Sequence, residues 1–133
     1  MPDRFSVRVY YEDTDFSGNV YHAAYLHFFE RARTEFLRAH GVHHSELAKG
    51  GIAFAVRSMT IEFEGAAHID DLLTVTTEVV SATGARLTLD QAIWRDEAQL
   101  TAARVVVVAI TGEGRAARLP KEVLALARTA RDT

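Results

Sequence analysis

One long helical repeat stands ahead of four consecutive strand patterns, and this order constrains the fold more than any other feature of the chain. From about Val20 to His40, the residues Tyr25, Phe28/Phe29, Ala32 and Phe36/Leu37 recur every three to four positions. His27, Glu30, Arg31, Thr34, Glu35 and Arg38 occupy the other side. That spacing predicts an amphipathic helix of roughly 20 residues, about 30 Å long. Arg38 and His40 suit its negative C-terminal end, and Gly41 suits the left-handed position that stops it.

Around this helix the pattern is almost entirely period-two. Phe5, Val7, Val9 and Tyr11 alternate with Ser6, Arg8 and Tyr10 ahead of it, as in a half-buried strand. Val42–Lys49 reads as a short helical turn closed by Gly50-Gly51. Strands are then expected over Phe54–Glu64, Leu72–Ser81, Arg86–Arg95 and Gln99–Thr111. Ala102–Ile110 is almost all small or β-branched, the composition of a central strand covered on both faces. Gly112–Arg118 reads as a charged loop, and Pro120 opens a short C-terminal helix with Val123, Leu124 and Leu126 facing inward. A four-strand meander cannot hide its faces alone, whereas the helix is long and aromatic enough to lie across a concave one. The expected fold is α+β, one central helix wrapped by a strongly curved antiparallel sheet.

The chain of 133 residues is long enough for one real core, and no repeat or linker suggests a second domain. Its net charge of −3, with the two signs mixed, implies no polyanion-binding surface, so nucleic acid is not an expected partner. The absence of cysteine removes disulfides, thiol catalysis and thiolate metal sites together. The start of the chain carries no apolar signal region, and the longest aliphatic run, Val105–Ile110, is far too short to span a bilayer. A cytoplasmic protein without membrane insertion is expected.

The chemistry-bearing residues gather between strand and helix. Asp13 and Asp15 sit two apart in a turn before a helix, where an aspartate can cap the helix or satisfy turn amides. A helix N-terminus also offers unpaired N–H groups and partial positive charge, so Asp15 could instead act as a nucleophile or general base beside amides able to hold an oxyanion. His22, at the helix start, is either a packed histidine that orients its neighbours or a base. His40, His43, His44 and Glu46 lack the i, i+4 histidine pair of a zinc helix, and a solvated helix end explains them better than a metal. No serine nucleophile elbow, phosphate loop or dinucleotide fingerprint is present.

The run from Tyr11 to Tyr25, YEDTDFSGNVYHAAY, followed by Phe29-Glu30-Arg31-Ala32-Arg33, resembles the hotdog-fold acyl-CoA thioesterases. In particular it is similar to the 4-hydroxybenzoyl-CoA thioesterase family and its Tol–Pal-associated, YbgC-type branch. The likeness covers nearly the whole chain, including Asp70-Asp71-Leu72-Leu73 and Pro120. It implies a single hotdog domain over residues 1–133, with a curved five-stranded antiparallel sheet wrapped around the long helix and a short C-terminal helix. It also implies dimers formed through edge strands, often paired again into homotetramers, with active sites at subunit interfaces. The family's catalytic carboxylate falls on Asp15, acting as nucleophile or general base, and the oxyanion-holding backbone N–H falls on His22. Gly18, Tyr21 and Tyr25 would meet the substrate. No metal or separate cofactor is implied, because coenzyme A is part of the acyl-CoA substrate.

Two positions depart from the family pattern. Asn19 stands where a branched apolar residue is usual, and Glu64-Gly65-Ala66-Ala67-His68 replaces a segment that in relatives often carries basic residues and proline. Contacts to the coenzyme A phosphates then fall to Arg86 and Arg118, with Arg115 beside them. The expected activity is hydrolysis of a short-chain or aromatic, hydroxybenzoyl-like acyl-CoA. The alternative is a non-catalytic module that binds acyl-CoA or an acyl carrier protein in the same groove. A hotdog dehydratase is disfavoured, because its His/Glu pair belongs on the central helix.

Overall fold

The computed structural model describes residues 3–132, so Met1, Pro2 and Thr133 of the expected domain lie outside the described residues. In chain order the elements are β1 (Asp3–Arg8), α1 (His22–Ala39), α2 (His44–Lys49), β2 (Ile52–Phe63), β3 (Leu72–Thr83), β4 (Arg86–Arg95), β5 (Ala98–Thr111), β6 (Ala116–Ala117) and α3 (Lys121–Asp132). The sheet is antiparallel in the order β1-β3-β4-β5-β2, with β6 paired to β5. It curls around α1 as the hotdog resemblance implies.

The core forms where helical and strand periodicities meet. Along α1, Ala24, Tyr25, Phe28, Phe29, Ala32, Phe36 and Leu37 are buried. They face a sheet whose inward row includes Leu73, Val75, Leu87, Leu89, Ile93 and Val105, all completely out of water. Each such side chain contributes about 1.5–3 kcal/mol of apolar burial. Gln91 brings a polar amide into this layer. Gln91 Nε2 donates to Phe29 O (3.1 Å) and Thr77 Oγ1 (3.0 Å), while its Oε1 accepts from Arg33 (3.1 Å), so the buried amide is satisfied. α1 stops as Gly41 anticipates. Gly41 adopts φ +84°, and Val42 N and Gly41 N return to Leu37 O and Arg38 O, which is a Schellman closure.

Four expectations are corrected. β1 ends at Arg8, and Tyr11 leaves the alternation because Tyr11–Asp13 form a 3-10 turn, with Asp13 Oδ2 accepting from Tyr10 N. α1 begins at His22, not Val20, because Val20 N donates to Ala67 O and Val20 bridges to Thr14. β5 is fully covered on one face only. Ala103, Val105, Val107 and Ala109 are buried, whereas Val106, Val108 and Ile110 are half-buried and Arg104 is exposed. The sheet gains a sixth, two-residue strand within the expected Gly112–Arg118 loop. Thr111 N bonds to Arg115 O, and Ala116–Ala117 then fold back on Ala109 and Ile110, just past the point where β4 begins at Arg86.

Candidate active site

The residues between β1 and α1 fold as a small hairpin that delivers the chain into the helix. Asp13 closes its base. Its carboxylate takes the Tyr10 amide (2.9 Å), and its carbonyl accepts from Tyr21 N (2.9 Å). Thr14 and Val20 form a bridge, Asp15 N donates to Asn19 O (2.9 Å) and Gly18 N donates to Asp15 O (3.1 Å). Gly18 adopts φ +86° with open space where a Cβ would stand, so glycine serves the backbone turn there and not a close approach.

Asp15 lies exposed at the bend of this hairpin. Its Oδ1 accepts from Ser17 Oγ and from Ser17 N (2.8 Å), the side-chain-to-backbone pattern of an Asx turn. Oδ2 receives no hydrogen bond from the described residues. The Ser17 hydroxyl, then the Ser17 amide, and lastly the Asn19 contact stabilise the ionised form and outweigh a small opposing desolvation. The carboxyl is therefore held below its ordinary value. Both aspartates thus satisfy turn amides, and neither caps α1. The N-cap of α1 is Tyr21, which makes no side-chain capping bond, and the first turn carries no acid. The amides of His22 and Ala23 find no acceptor among the described residues, which leaves a positive helix end open beside the hairpin.

The other expected site residues divide into two groups. Gly18, Tyr21 and His22 share the hairpin and helix start with Asp15. Tyr21 and His22 are exposed, with their rings 4.6 Å apart. Tyr25 lies below them at 3% exposure, its hydroxyl accepting from Ala67 N (3.0 Å) and its ring set edgewise on Phe63. Within one chain it supports the site from beneath. Arg86 and Arg118 sit at the opposite end of the sheet. Arg118 lies over Gly84 in the β3–β4 turn, while the hairpin packs beside the loop that enters β3 near Arg95. Arg86 and Arg95 are the two ends of β4, about 30 Å apart at strand rise. One chain therefore does not bring these arginines to Asp15.

Three residues outside the expected set complete the surroundings. The loop ahead of β3 pairs with the hairpin through Val20 N to Ala67 O (2.8 Å), Ile69 N to Gly18 O (3.0 Å) and the Asn19–His68 bridge. Asp71 and Arg95 brace that loop, and Ala67 at its centre is fully buried. In the sequence this loop carries the Asp70-Asp71 pair and the Glu64–His68 segment that departs from the family pattern. Exposed apolar side chains gather at the same end, among them Tyr10, Tyr11, Phe16, Tyr21, Phe63 and Leu72, with Phe16 at 104% of its reference exposure. A concavity of about 740 Å³ lies on the outer sheet face around Thr76, Asp90, Trp94 and Arg104 and includes no hairpin residue. Among the described residues no three His, Asp or Glu side chains converge to hold a metal ion. No helix among them is long and apolar enough to cross a membrane.

Comparison with known proteins finds relatives along nearly the whole chain. The sequence profile of the thioesterase superfamily matches residues 17–102. The chain is 46% identical over 123 residues to the acyl-CoA thioesterase YbgC of Haemophilus influenzae, covering 91% of this chain and 90% of that protein. It is 45% identical over 124 residues to the acyl-CoA thioester hydrolase YbgC of Escherichia coli O6:H1, covering 92% of each. The crystal structure of a probable thioesterase from Bartonella henselae superposes with a TM-score of 0.87 at 46% identity, over 90% of this chain and all of that one. With that profile matched over more than half of the chain and relatives at 45–46% identity along nearly its whole length, the chain belongs to the thioesterase superfamily.

Proposed function

We propose that this protein hydrolyses acyl-CoA thioesters, with Asp15 as the reacting carboxylate. One observation carries the reading. Asp15 is held ionised with one oxygen free, on a hairpin that runs directly into a helix whose first amides have no acceptor. A thioester carbonyl set against the His22 amide would build up negative charge where the helix end is positive. A single well-placed oxyanion donor is worth about 2.7–4 kcal/mol of barrier. Asp15 then either attacks the carbonyl carbon, forming an anhydride that water cleaves, or takes the proton from an attacking water. In both routes the C–S bond breaks, coenzyme A leaves as the thiol and the acyl group leaves as the acid. Coenzyme A enters as part of the substrate, so no separate cofactor is required. The exposed aromatic residues around the hairpin suit a short-chain or aromatic acyl group.

The same rim of exposed apolar residues supports a homo-oligomer, a dimer or a dimer of dimers, as the working cytoplasmic form. β2 is an edge strand. Antiparallel pairing of two β2 edges would lay the Ile52 end of one chain against the Phe63 end of the other, and would carry Arg86 and Arg118 towards the partner's Asp15. On this reading those arginines meet the coenzyme A phosphates across the interface. Arg118→Ala should then raise KM for an acyl-CoA and leave KM for the matching acyl-pantetheine unchanged.

The decisive assay is release of free thiol from a panel of benzoyl-, hydroxybenzoyl-, short-chain and long-chain acyl-CoAs. Turnover of at least one short-chain or aromatic member is expected. Tight binding without thiol release across the panel would replace hydrolysis with the binding-module reading.

A further inference from the structure

We infer that Asp71 and Arg95 form a positioning pair for the Asp15 hairpin, acting through the loop between β2 and β3. The inference rests on the reading of Asp15 as the reacting carboxylate. Among the described residues neither side chain hydrogen-bonds to the hairpin. Arg95 NH1 donates to Asp71 Oδ2 (2.9 Å) and to Ala66 O (3.0 Å), and Asp71 Oδ2 also accepts from His68 N (2.9 Å). One nitrogen and one oxygen thus clamp the loop on both sides of Ala67. Asp70, at φ +72°, lets the chain turn between them. Asp70 is anchored in turn by its amide on Val9 O (3.0 Å) and by Arg8 on its carbonyl (2.7 Å).

The clamped segment carries the hydrogen bonds that tie the outer arm of the hairpin to the body of the protein, Val20 N to Ala67 O and Ile69 N to Gly18 O. The other bonds around Asp15, to Ser17 and Asn19, lie inside the hairpin and would move with it. The clamp therefore sets where the hairpin stands relative to the open amides of His22 and Ala23, while the hairpin sets its own shape. The pair is well placed for this, because both side chains are largely covered, at 21% exposure for Asp71 and 35% for Arg95. By contrast Asp90 and Arg104 make a geometrically better ion pair, 2.8 and 2.9 Å through two bonds, on the outer sheet face with no link to the hairpin.

That contrast supplies the control. Asp71→Asn and Arg95→Lys would be compared with Asp90→Asn for kcat, KM, Tm and amide exchange at Val20 and Ile69, with Asp15→Asn as the reference for chemistry. A displacement of about 1 Å can cost on the order of a hundredfold in rate. Asp71→Asn should therefore lower kcat about 10–100-fold with KM within twofold, and exchange at Val20 and Ile69 should accelerate. Arg95→Lys, which keeps the charge but not the fork, should fall between Asp71→Asn and the parent. Asp90→Asn should leave kcat and these amides as they were. Unchanged exchange at Val20 and Ile69 in Asp71→Asn, or faster exchange with unaltered kcat, would overturn the positioning role. Full turnover by Asp15→Asn would instead overturn the catalytic reading, and the exchange measurement would still decide whether the clamp holds the hairpin.

Discussion

The two halves of α1 are held in place by different forces. Towards its middle, Phe28 and Phe29 share one hydrophobic core with Leu87, Leu89 and Val105, and all five are completely buried. At its start, Tyr21 and His22 are exposed, and the hairpin beside them is fixed by backbone hydrogen bonds and a few side-chain ties. Burial is non-directional and scales with area, so the core sets where the helix lies but tolerates rearrangement. Hydrogen bonds are directional and individually modest, so they set orientation while adding little to stability. Substitutions should separate the two. Core changes should cost stability, and hairpin changes should cost turnover.

The largest stability effect should come from Leu89→Ala. It empties a fully buried site and should destabilise by about 2–5 kcal/mol, read as a lower urea midpoint, with kcat of the folded fraction within twofold. Tyr25→Phe tests the boundary between the regions. It leaves the buried Ala67 amide without its acceptor, at a cost of about 1–3 kcal/mol. Because Ala67 O also holds Val20, it should lower kcat about tenfold as well. Loss of stability alone would show that the two regions are less coupled than the geometry implies. Gly18→Ala should cost about 1–2 kcal/mol through the left-handed backbone, with a larger proportional loss of turnover.

Acid should act on the site before it acts on the core. Burial pushes the Asp71 carboxyl up, but hydrogen bonds from His68 N and Arg95, with the Arg95 charge, outweigh it and hold the group below its ordinary value. A carboxyl depressed on folding contributes stability above its unfolded value, near 3.9, and loses that contribution as pH falls through the folded value. Chemical denaturation across that acid window should show the loss, and Asp71→Asn should flatten it. Asp15 is depressed in the same direction, so the acid limb of kcat/KM, which reports the free enzyme, should also fall below the ordinary carboxylate range. The smallest effect belongs to Arg104→Ala. Its partner Asp90 and Arg104 itself are well exposed, so solvent screens the pair and Tm should barely move.

How much of this the sequence discloses follows the same division. The spacing of Tyr25, Phe28, Phe29, Ala32, Phe36 and Leu37 gives the helix, its buried face and its stop at Gly41, because burial leaves a periodic trace. The four later strands are legible for the same reason, but β5 is apolar on both faces, which hides that only one of them is fully covered. The two-residue β6 is not, because its pairing depends on where β4 happens to begin. At the site, residue types and spacing put Asp15 and His22 together but left capping and catalysis open. It took the backbone to show that the cap is Tyr21 and that both aspartates serve turns. Ala67 and Asp71 lie in the loop ahead of β3 and Arg95 at the end of β4, so their convergence with the hairpin exists only in the fold. Arg86 and Arg118, to which the phosphate contacts fell because the Glu64–His68 segment holds no lysine or arginine, stand at the far end of the sheet from Asp15.

The most direct test is the turnover of Asp15→Asn on whichever acyl-CoA the parent protein hydrolyses best, measured beside its Tm. The side chain is exposed and the replacement keeps an acceptor for Ser17, so the fold and Tm should stay close to the parent's while kcat falls by about a thousandfold or more. Turnover near the parent's, at an unchanged Tm, would contradict the assignment of the chemistry to the hairpin carboxylate.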